Sequence, residues 1–307
     1  MKPMEIRTRG QLINEGFTDA SIRAALKSGS LQRLGRGRYG RRRPDSSEDR
    51  VLALMAGRDD ILCLEAAAVW HGLPLRHRLE QISILRPGTG RSRRRDGWMV
   101  LTGDVPPADV ELVGSLRVTT VARTVVDLAR LRGLEQALVP WEAARWRART
   151  GRTLEEFDQG VDLVIDCQAR LKGVGLARRA RQMASAHSES PMETLSLWHM
   201  RELGVPAPVQ QFDVLDVAGH CRGTCDFAWP ELGVVGEYDG QEKYDRLRRV
   251  GESPADVVRR EKRRQESIEE LGWVFARWGK EELANPVLMK RRIEQAIAIA
   301  QGLPRAV

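Results

Sequence analysis

The chain has 307 residues, of which 42% are hydrophobic and 30% are charged, and its formal net charge at pH 7 is +8. This composition is typical of a soluble protein with two or three domains that have apolar cores. The sequence has no run close to the ~20 apolar residues that a membrane span needs, and its first residues lack a secretory signal. We therefore expect a cytoplasmic protein without a membrane partner.

The positive charge is concentrated in two arginine clusters, at residues 33–43 and 91–95. Arginine is suited to phosphate contacts because its guanidinium group presents a fork of donors, so the clusters favour a nucleic-acid partner. An arginine-rich genome would produce the same bias without function. The four cysteines lack the spacing of a zinc site or a disulfide framework, and we expect neither. They are Cys63, Cys167, Cys221 and Cys225.

Residues 1–45 have the pattern of a winged helix-turn-helix domain. A short helix ends at Gly16, and Thr18 is an N-cap for a second helix that Gly29 ends. A Gly-Arg-Gly turn at residues 35–37 then indicates a two-stranded wing. In such domains the second helix enters the major groove of DNA and the wing contacts phosphates. The predicted DNA-binding residues are Ser21, Arg23 and Lys27 on the helix and Arg36 and Arg38 in the wing.

This N-terminal pattern resembles the winged-helix domain of type IV abortive-infection antitoxins. The resemblance rests on Gln11-Leu12, Gly16-Phe17-Thr18 and residues 35–39, and segments 65–74 and 118–129 also resemble the region that follows in those proteins. It implies that the second helix binds DNA or a partner protein. The alternative is a small packing domain without a ligand.

Residues 46–150 are predicted to be a mixed α/β region and residues 151–187 a helical connector. Glu65, His71, Arg123 and Asp127 superficially suggest a catalytic set. We assign no chemistry to them, because Arg123 and Asp127 are four residues apart on a predicted helix and are expected to form an ordinary ion pair.

Residues 188–307 contain the most coherent order of elements, αβββαβ. Two apolar runs, 224–229 and 232–238, predict an antiparallel hairpin that carries Asp226, Glu237 and Asp239. Carboxylates on half-buried strands need a partner, because desolvation costs several kcal/mol per ion. The partner that converging carboxylates favour is a hard divalent cation such as Mg²⁺.

The element order, with Asp226 ahead of a Glu237-Tyr238-Asp239-Gly240 strand end, resembles PD-(D/E)XK restriction-endonuclease-like proteins related to very-short-patch repair enzymes. The resemblance implies an α+β multidomain protein whose last domain holds Mg²⁺ or Mn²⁺ on Asp226, Glu237 and Glu193. It implies a catalytic set of Asp226, Glu237, Asp239, Lys243 and Glu193.

Two positions depart from that implied set. Asp239 stands where the family often has a lysine, and Lys243 is expected to supply the missing positive charge, with Lys262 as a substitute. Glu193 has an alternative role, because it stands three residues after Ser190 and can complete a capping box.

These patterns lead to three hypotheses. The first is a protein that binds double-stranded DNA and hydrolyses it with a metal-activated water, in defence or repair. The second is a non-catalytic DNA-binding regulator or antitoxin that retains the nuclease fold. The third is an adaptor whose winged helix binds another protein. The sequence predicts neither the target sequence nor the oligomeric state.

Overall fold

The protein is a mixed α/β multidomain protein in the computed structural model, which describes residues 4–95, 97–239 and 253–302. It divides into two compact units. The first comprises Met1–Ala144 and Thr153–Met183, and the second comprises Arg145–Arg152 and Ala184–Val307. The segment predicted as winged helix and most of the predicted middle region therefore share one unit with most of the predicted connector, whereas the predicted endonuclease-like segment lies in the other.

The N-terminal part of the first unit packs two helices against a three-stranded sheet of order β1-β3-β2. Thr8 and Thr18 cap the two helices through capping boxes, and Gly29 ends the second with a φ of 78°. The small core contains Leu12, Ile22, Leu31 and Tyr39. The elements are β1 (Ile6–Thr8), α1 (Arg9–Asn14), α2 (Asp19–Ser28), β2 (Gln32–Gly35) and β3 (Arg38–Gly40).

A six-stranded mixed sheet of order β6-β7-β5-β4-β9-β8 forms the centre of the first unit. Its strands are β4 (Ile61–Leu62), β5 (Ile82–Arg86), β6 (Arg93–Arg95), β7 (Trp98–Thr102), β8 (Val110–Val113) and β9 (Leu116–Thr119). The helices are α3 (Ser47–Met55), α4 (Leu64–Trp70), α5 (Val121–Arg132), α6 (Leu134–Thr150), which extends into the second unit, α7 (Leu154–Cys167) and α8 (Val174–Met183).

The buried charges of the first unit form a structural network. Arg123 Nε donates to Asp127 Oδ2 at 2.6 Å, and Arg123 Nη1 donates to Asp109 Oδ2 at 2.8 Å. Arg130 Nη1 donates to the other Asp127 oxygen at 2.6 Å. The predicted i,i+4 ion pair between Arg123 and Asp127 is therefore confirmed.

The second unit has a four-stranded sheet of order β10-β11-β12-β13. The first three strands are antiparallel, and β13 is parallel to β12, which requires a crossover that includes α10. The predicted hairpin is present, and Gly233 completes its turn with a φ of 70°. The elements are α9 (Pro191–Glu202), β10 (Val209–Leu215), β11 (Cys221–Trp229), β12 (Val234–Tyr238), α10 (Pro254–Glu269), β13 (Val274–Trp278), α11 (Lys280–Ala284) and α12 (Pro286–Gln301).

This sheet is covered by apolar side chains on both faces. Phe227, Tyr238 and Trp278 belong to one core cluster, which α12 completes. Cys225 belongs to the other cluster, to which α10 contributes Ile268. Because both faces are covered, a charged side chain on the inner strands must find its partner within the domain.

No helix among the described residues is both long and apolar enough to span a bilayer.

Candidate functional site

Asp226 and Glu237 come together where the β11–β12 ladder ends. The paired residues run from Trp229–Val234 to Phe227–Gly236, and Asp226 and Glu237 are the next residues on the two strands. Asp226 Oδ2 accepts a hydrogen bond from the backbone N–H of Tyr238 at 2.9 Å. The hairpin therefore places the two predicted metal ligands at neighbouring positions on paired strands.

Glu237 is buried, with 7% exposure, and two arginines hold its carboxylate. Arg264 Nη2, from α10, donates to Glu237 Oε1 at 2.6 Å. Arg277 Nη2 and Nε, from β13, donate to Glu237 Oε2 at 3.0 and 3.2 Å. Both carboxylate oxygens are thus bound by guanidinium groups, which gives Glu237 the charged partners that a buried carboxylate needs.

The two arginines are themselves fixed by neighbouring groups. Arg264 Nε donates to Glu261 Oε2 at 3.0 Å, and Arg277 Nη1 donates to Gln265 Oε1 at 2.8 Å. The Arg277 guanidinium also lies 4.6 Å from the centre of the Phe275 ring. We call the three side chains Arg264, Glu237 and Arg277 the arginine clamp.

The electrostatics of the clamp favour its ion-paired form. Burial disfavours the charged form of Arg264, but the charge of Glu237 and the hydrogen bond to it, together with the contact to Glu261, outweigh that effect and raise the pKa of Arg264. The neighbouring Cys225 thiol has a pKa raised to about 12, first by burial and then by the charge of Glu237. Cys225 is consequently neutral at physiological pH and supplies no nucleophilic thiolate.

Glu193 lies at the beginning of α9, where Ser190 caps the helix as the sequence predicted, and the Glu193 side chain binds donors just before the helix. Its backbone N–H donates to Ser190 Oγ at 3.2 Å, and Ser190 Oγ donates to Glu193 Oε1 at 2.7 Å. Its other oxygen accepts from the backbone N–H of Glu189 at 2.9 Å and from Gln211 Nε2 at 3.2 Å. Both Glu193 oxygens are therefore engaged by protein donors.

Gln211 links Glu193 to the strand that faces Asp226. It lies on β10 between the paired residues Gln210–Phe227 and Phe212–Cys225, at the level of Asp226. Its φ of 50° is in the left-handed region, which is costly for a residue with a side chain. Such backbone strain is often found at functional sites.

Of the two lysines predicted for catalysis, Lys262 lies among the described residues. Lys243 lies outside the described residues. Lys262 is exposed on α10, and its Nζ is 3.8 Å from Glu266 Oε1. Asp239 is exposed, and its backbone N–H donates to Trp278 O at 2.9 Å.

The carboxylates as arranged do not fit a resident divalent cation. A cation at this point would have to replace the guanidinium groups on Glu237 and the donors on Glu193. Across residues 4–95, 97–239 and 253–302, no three His, Cys, Asp or Glu side chains lie close enough together to share one metal ion. The Mg²⁺ or Mn²⁺ site on Asp226, Glu237 and Glu193 therefore stays a prediction.

The predicted DNA contacts of the first unit fall into two groups. Arg23, Lys27 and Arg36 are exposed. Ser21 instead closes a capping box, because its Oγ donates to Thr18 O at 2.9 Å and accepts from the Thr18 N–H at 2.8 Å.

Arg38, predicted to contact phosphate, has a structural role in the wing. Its Nη1 donates to the carbonyl oxygen of Ala53 at 2.9 Å and to that of Leu54. It thereby fastens the wing to the end of α3, and burial lowers the pKa of its guanidinium.

Sequence reasoning missed Arg264, Arg277 and Gln211. Arg264 stands in a highly charged stretch of sequence, residues 259–264, that has the composition of a solvated helix face. Arg277 lies directly opposite Glu237 in the parallel β12–β13 register, which no local pattern specifies. The available sequence signal for Arg277 was a lone arginine beside the apolar residues 273–276.

No family model matches the chain. The chain is 28% identical over 260 residues to the uncharacterized protein Rv2248 of Mycobacterium tuberculosis strain H37Rv. The match covers 84% of this chain and 89% of the relative. The uncharacterized protein MT2308 of Mycobacterium tuberculosis strain CDC 1551 matches with the same identity and coverage.

Proposed function

We propose that this chain is a DNA-binding regulator whose second unit has an endonuclease-like fold that does not hydrolyse DNA. The observation that carries the proposal is the arginine clamp, because both oxygens of Glu237 are bound by guanidinium groups. A divalent metal needs such a carboxylate as a direct ligand. The αβββαβ element order and the strand order β10-β11-β12-β13 support the fold assignment.

The N-terminal part of the first unit supports the DNA-binding half of the proposal. Its order β1-α1-α2-β2-β3, in which the hairpin strands β2 and β3 share a sheet with β1, supports the predicted winged helix. The exposed cations Arg23 and Lys27 on α2 and Arg36 in the wing are suited to phosphate and groove contacts. The net charge of +8 adds a sequence-independent attraction to DNA.

A direct test is the affinity for a fluorescent DNA duplex, measured by anisotropy over a range of salt concentrations. We expect the Arg23→Ala/Lys27→Ala variant to bind at least about tenfold more weakly and to lower the salt slope by roughly 0.9 per lost phosphate contact. The control is Arg170→Ala, which removes an exposed charge far from α2 in sequence. An equal loss of DNA affinity in the control and in the double variant would contradict a specific role for α2.

Metal-dependent hydrolysis of DNA is the second candidate, and the juxtaposition of Asp226 and Glu237 favours it. In that case the metal would polarise the phosphate and activate water, and Arg264 and Arg277 would provide positive charge beside it. Calorimetric titration with Mn²⁺ separates the candidates. Heat of binding that disappears in Asp226→Ala would favour hydrolysis over our proposal.

A further inference from the structure

A cleft in the first unit lies apart from α2 and belongs to a different unit from the clamp. It has a volume of about 440 Å³ and lies between the loop after α4, the β6–β7 hairpin and α5. Sites for small ligands in proteins commonly have volumes of roughly 300–1,000 Å³. The side chains that matter for its chemistry are Leu75, Arg76, Arg78, Arg94, Met99 and Arg132.

The charges of the cleft are predominantly positive. Four of its lining residues are arginines and two, Glu65 and Glu80, are glutamates. Arg132 Nε and Nη2 donate to the two oxygens of Glu65 at 2.5 and 3.3 Å, so that glutamate is already neutralised. Arg76 contacts Glu135 on α6. Of the two lining carboxylates, Glu80 is therefore the one that can oppose the charges of Arg78 and Arg94.

Arg78 and Arg94 are placed as anion ligands. Both are exposed, and within the described part of the chain neither has a carboxylate at ion-pair distance. Arg94 lies directly opposite Met99 in the antiparallel β6–β7 ladder, so both side chains are on the face that lines the cleft. A guanidinium fork at the mouth of a concave site binds phosphate oxygens in pairs.

The floor of the cleft is apolar, because Leu75, Met99 and Leu128 line it. If a phosphate binds Arg78 and Arg94, the base or sugar of the same nucleotide can contact these apolar side chains. We propose that the cleft binds a phosphate group, carried either by a mononucleotide or by the backbone of a nucleic acid. The site does not depend on α2 or on the arginine clamp, so it goes beyond the proposed function.

The experiment compares binding of dAMP and of a short DNA duplex by the full chain and its variants. We expect Arg78→Ala/Arg94→Ala to weaken binding at least about tenfold, since two charge-assisted contacts are lost. Glu80→Gln should tighten binding, because it removes the opposing charge. Arg91→Ala is the matched control, because Arg91 is an exposed arginine of the same segment that does not line the cleft.

The two probes distinguish the sources of the phosphate. Weaker dAMP binding in the double variant supports a nucleotide site, and a loss confined to the duplex supports a backbone contact. The Arg23→Ala/Lys27→Ala variant should change duplex binding and leave dAMP binding unchanged, which separates this site from the proposed DNA surface of α2. Equal binding by Arg78→Ala/Arg94→Ala and Arg91→Ala, or no binding of either probe by the wild type, would overturn the inference.

Discussion

Neutralising Glu237 should lower the stability of the protein if Glu237 is held by the arginine clamp, and should raise it if Glu237 belongs to an empty metal site. In Glu237→Gln the two arginines lose the negative charge that compensates their partial burial. We expect the free energy of unfolding to fall by about 3 kcal/mol, the scale of a broken buried ion pair. The measurement is urea unfolding without added metal.

Two comparisons make this prediction specific. Glu270→Gln removes an exposed carboxylate at the end of α10 and should change stability by less than about 0.5 kcal/mol. In an empty metal site the carboxylates repel one another, so neutralising one of them would increase the free energy of unfolding. A rise in the stability of Glu237→Gln would therefore contradict the arginine clamp.

The residue scale also shows where sequence reasoning succeeds and where it ends. The carboxylates Asp226 and Glu237 were predicted to meet because hairpin pairing is a local property. The arginines that bind Glu237 come from residues 264 and 277, which follow the hairpin by a crossover helix. Their contact depends on the register of a parallel strand pair, which short-range patterns do not specify.

At the scale of elements, β10 has one strained residue beside the site. Gln211 has a φ of 50° and donates to Glu193. Gln211→Ala should lose the hydrogen bond and keep the strain, whereas Gln211→Gly should lose the bond and relieve the strain. We expect the glycine variant to be more stable than the alanine variant by about 1 kcal/mol in urea unfolding, because only glycine adopts this backbone region freely. The reverse order would show that the strain is not present in solution.

The start of α10 gives a prediction for pH. Asp256 completes a capping box with Ser253, and hydrogen bonds from Ser253 and Arg259 lower the pKa of Asp256 from 3.8 to about 2. A carboxylate whose pKa is lowered on folding stabilises the protein above its unfolded pKa, and that stabilisation disappears as pH falls through the folded pKa. The wild type should therefore exceed Asp256→Asn in stability at neutral pH.

The measurement is the stability difference between wild type and Asp256→Asn in urea as a function of pH. The difference should be constant above about pH 5 and should shrink between about pH 4 and about pH 2. A difference that grows on acidification would show that the carboxylate is not stabilised by these donors.

Elements were the most predictable level of this protein. Capping residues and glycines located the two N-terminal helices, and turn residues located the β11–β12 hairpin close to its observed limits. The grouping of elements was harder to predict. The segments 1–45 and 46–150 were predicted as separate domains, and contacts between elements group residues 1–144 into the first compact unit. Such grouping depends on packing between elements that are distant in sequence.

At the scale of the whole molecule, both proposed binding sites belong to the first unit. They are the exposed cations of α2 and the cleft beside Arg78 and Arg94, whereas the arginine clamp belongs to the second unit. The net charge of +8, which favours DNA as a partner, is known from the sequence without the structure. Whether the second unit cleaves DNA depends on the state of a single carboxylate, so the central claim is tested there.

The most direct test is incubation of the full chain with supercoiled plasmid in the presence of Mg²⁺ or Mn²⁺, with Asp226→Ala and Glu237→Ala alongside. The arginine clamp predicts that all three proteins leave the plasmid intact, while the wild type retards it during electrophoresis. Metal-dependent nicking by the wild type that both substitutions abolish would contradict the account and establish hydrolysis.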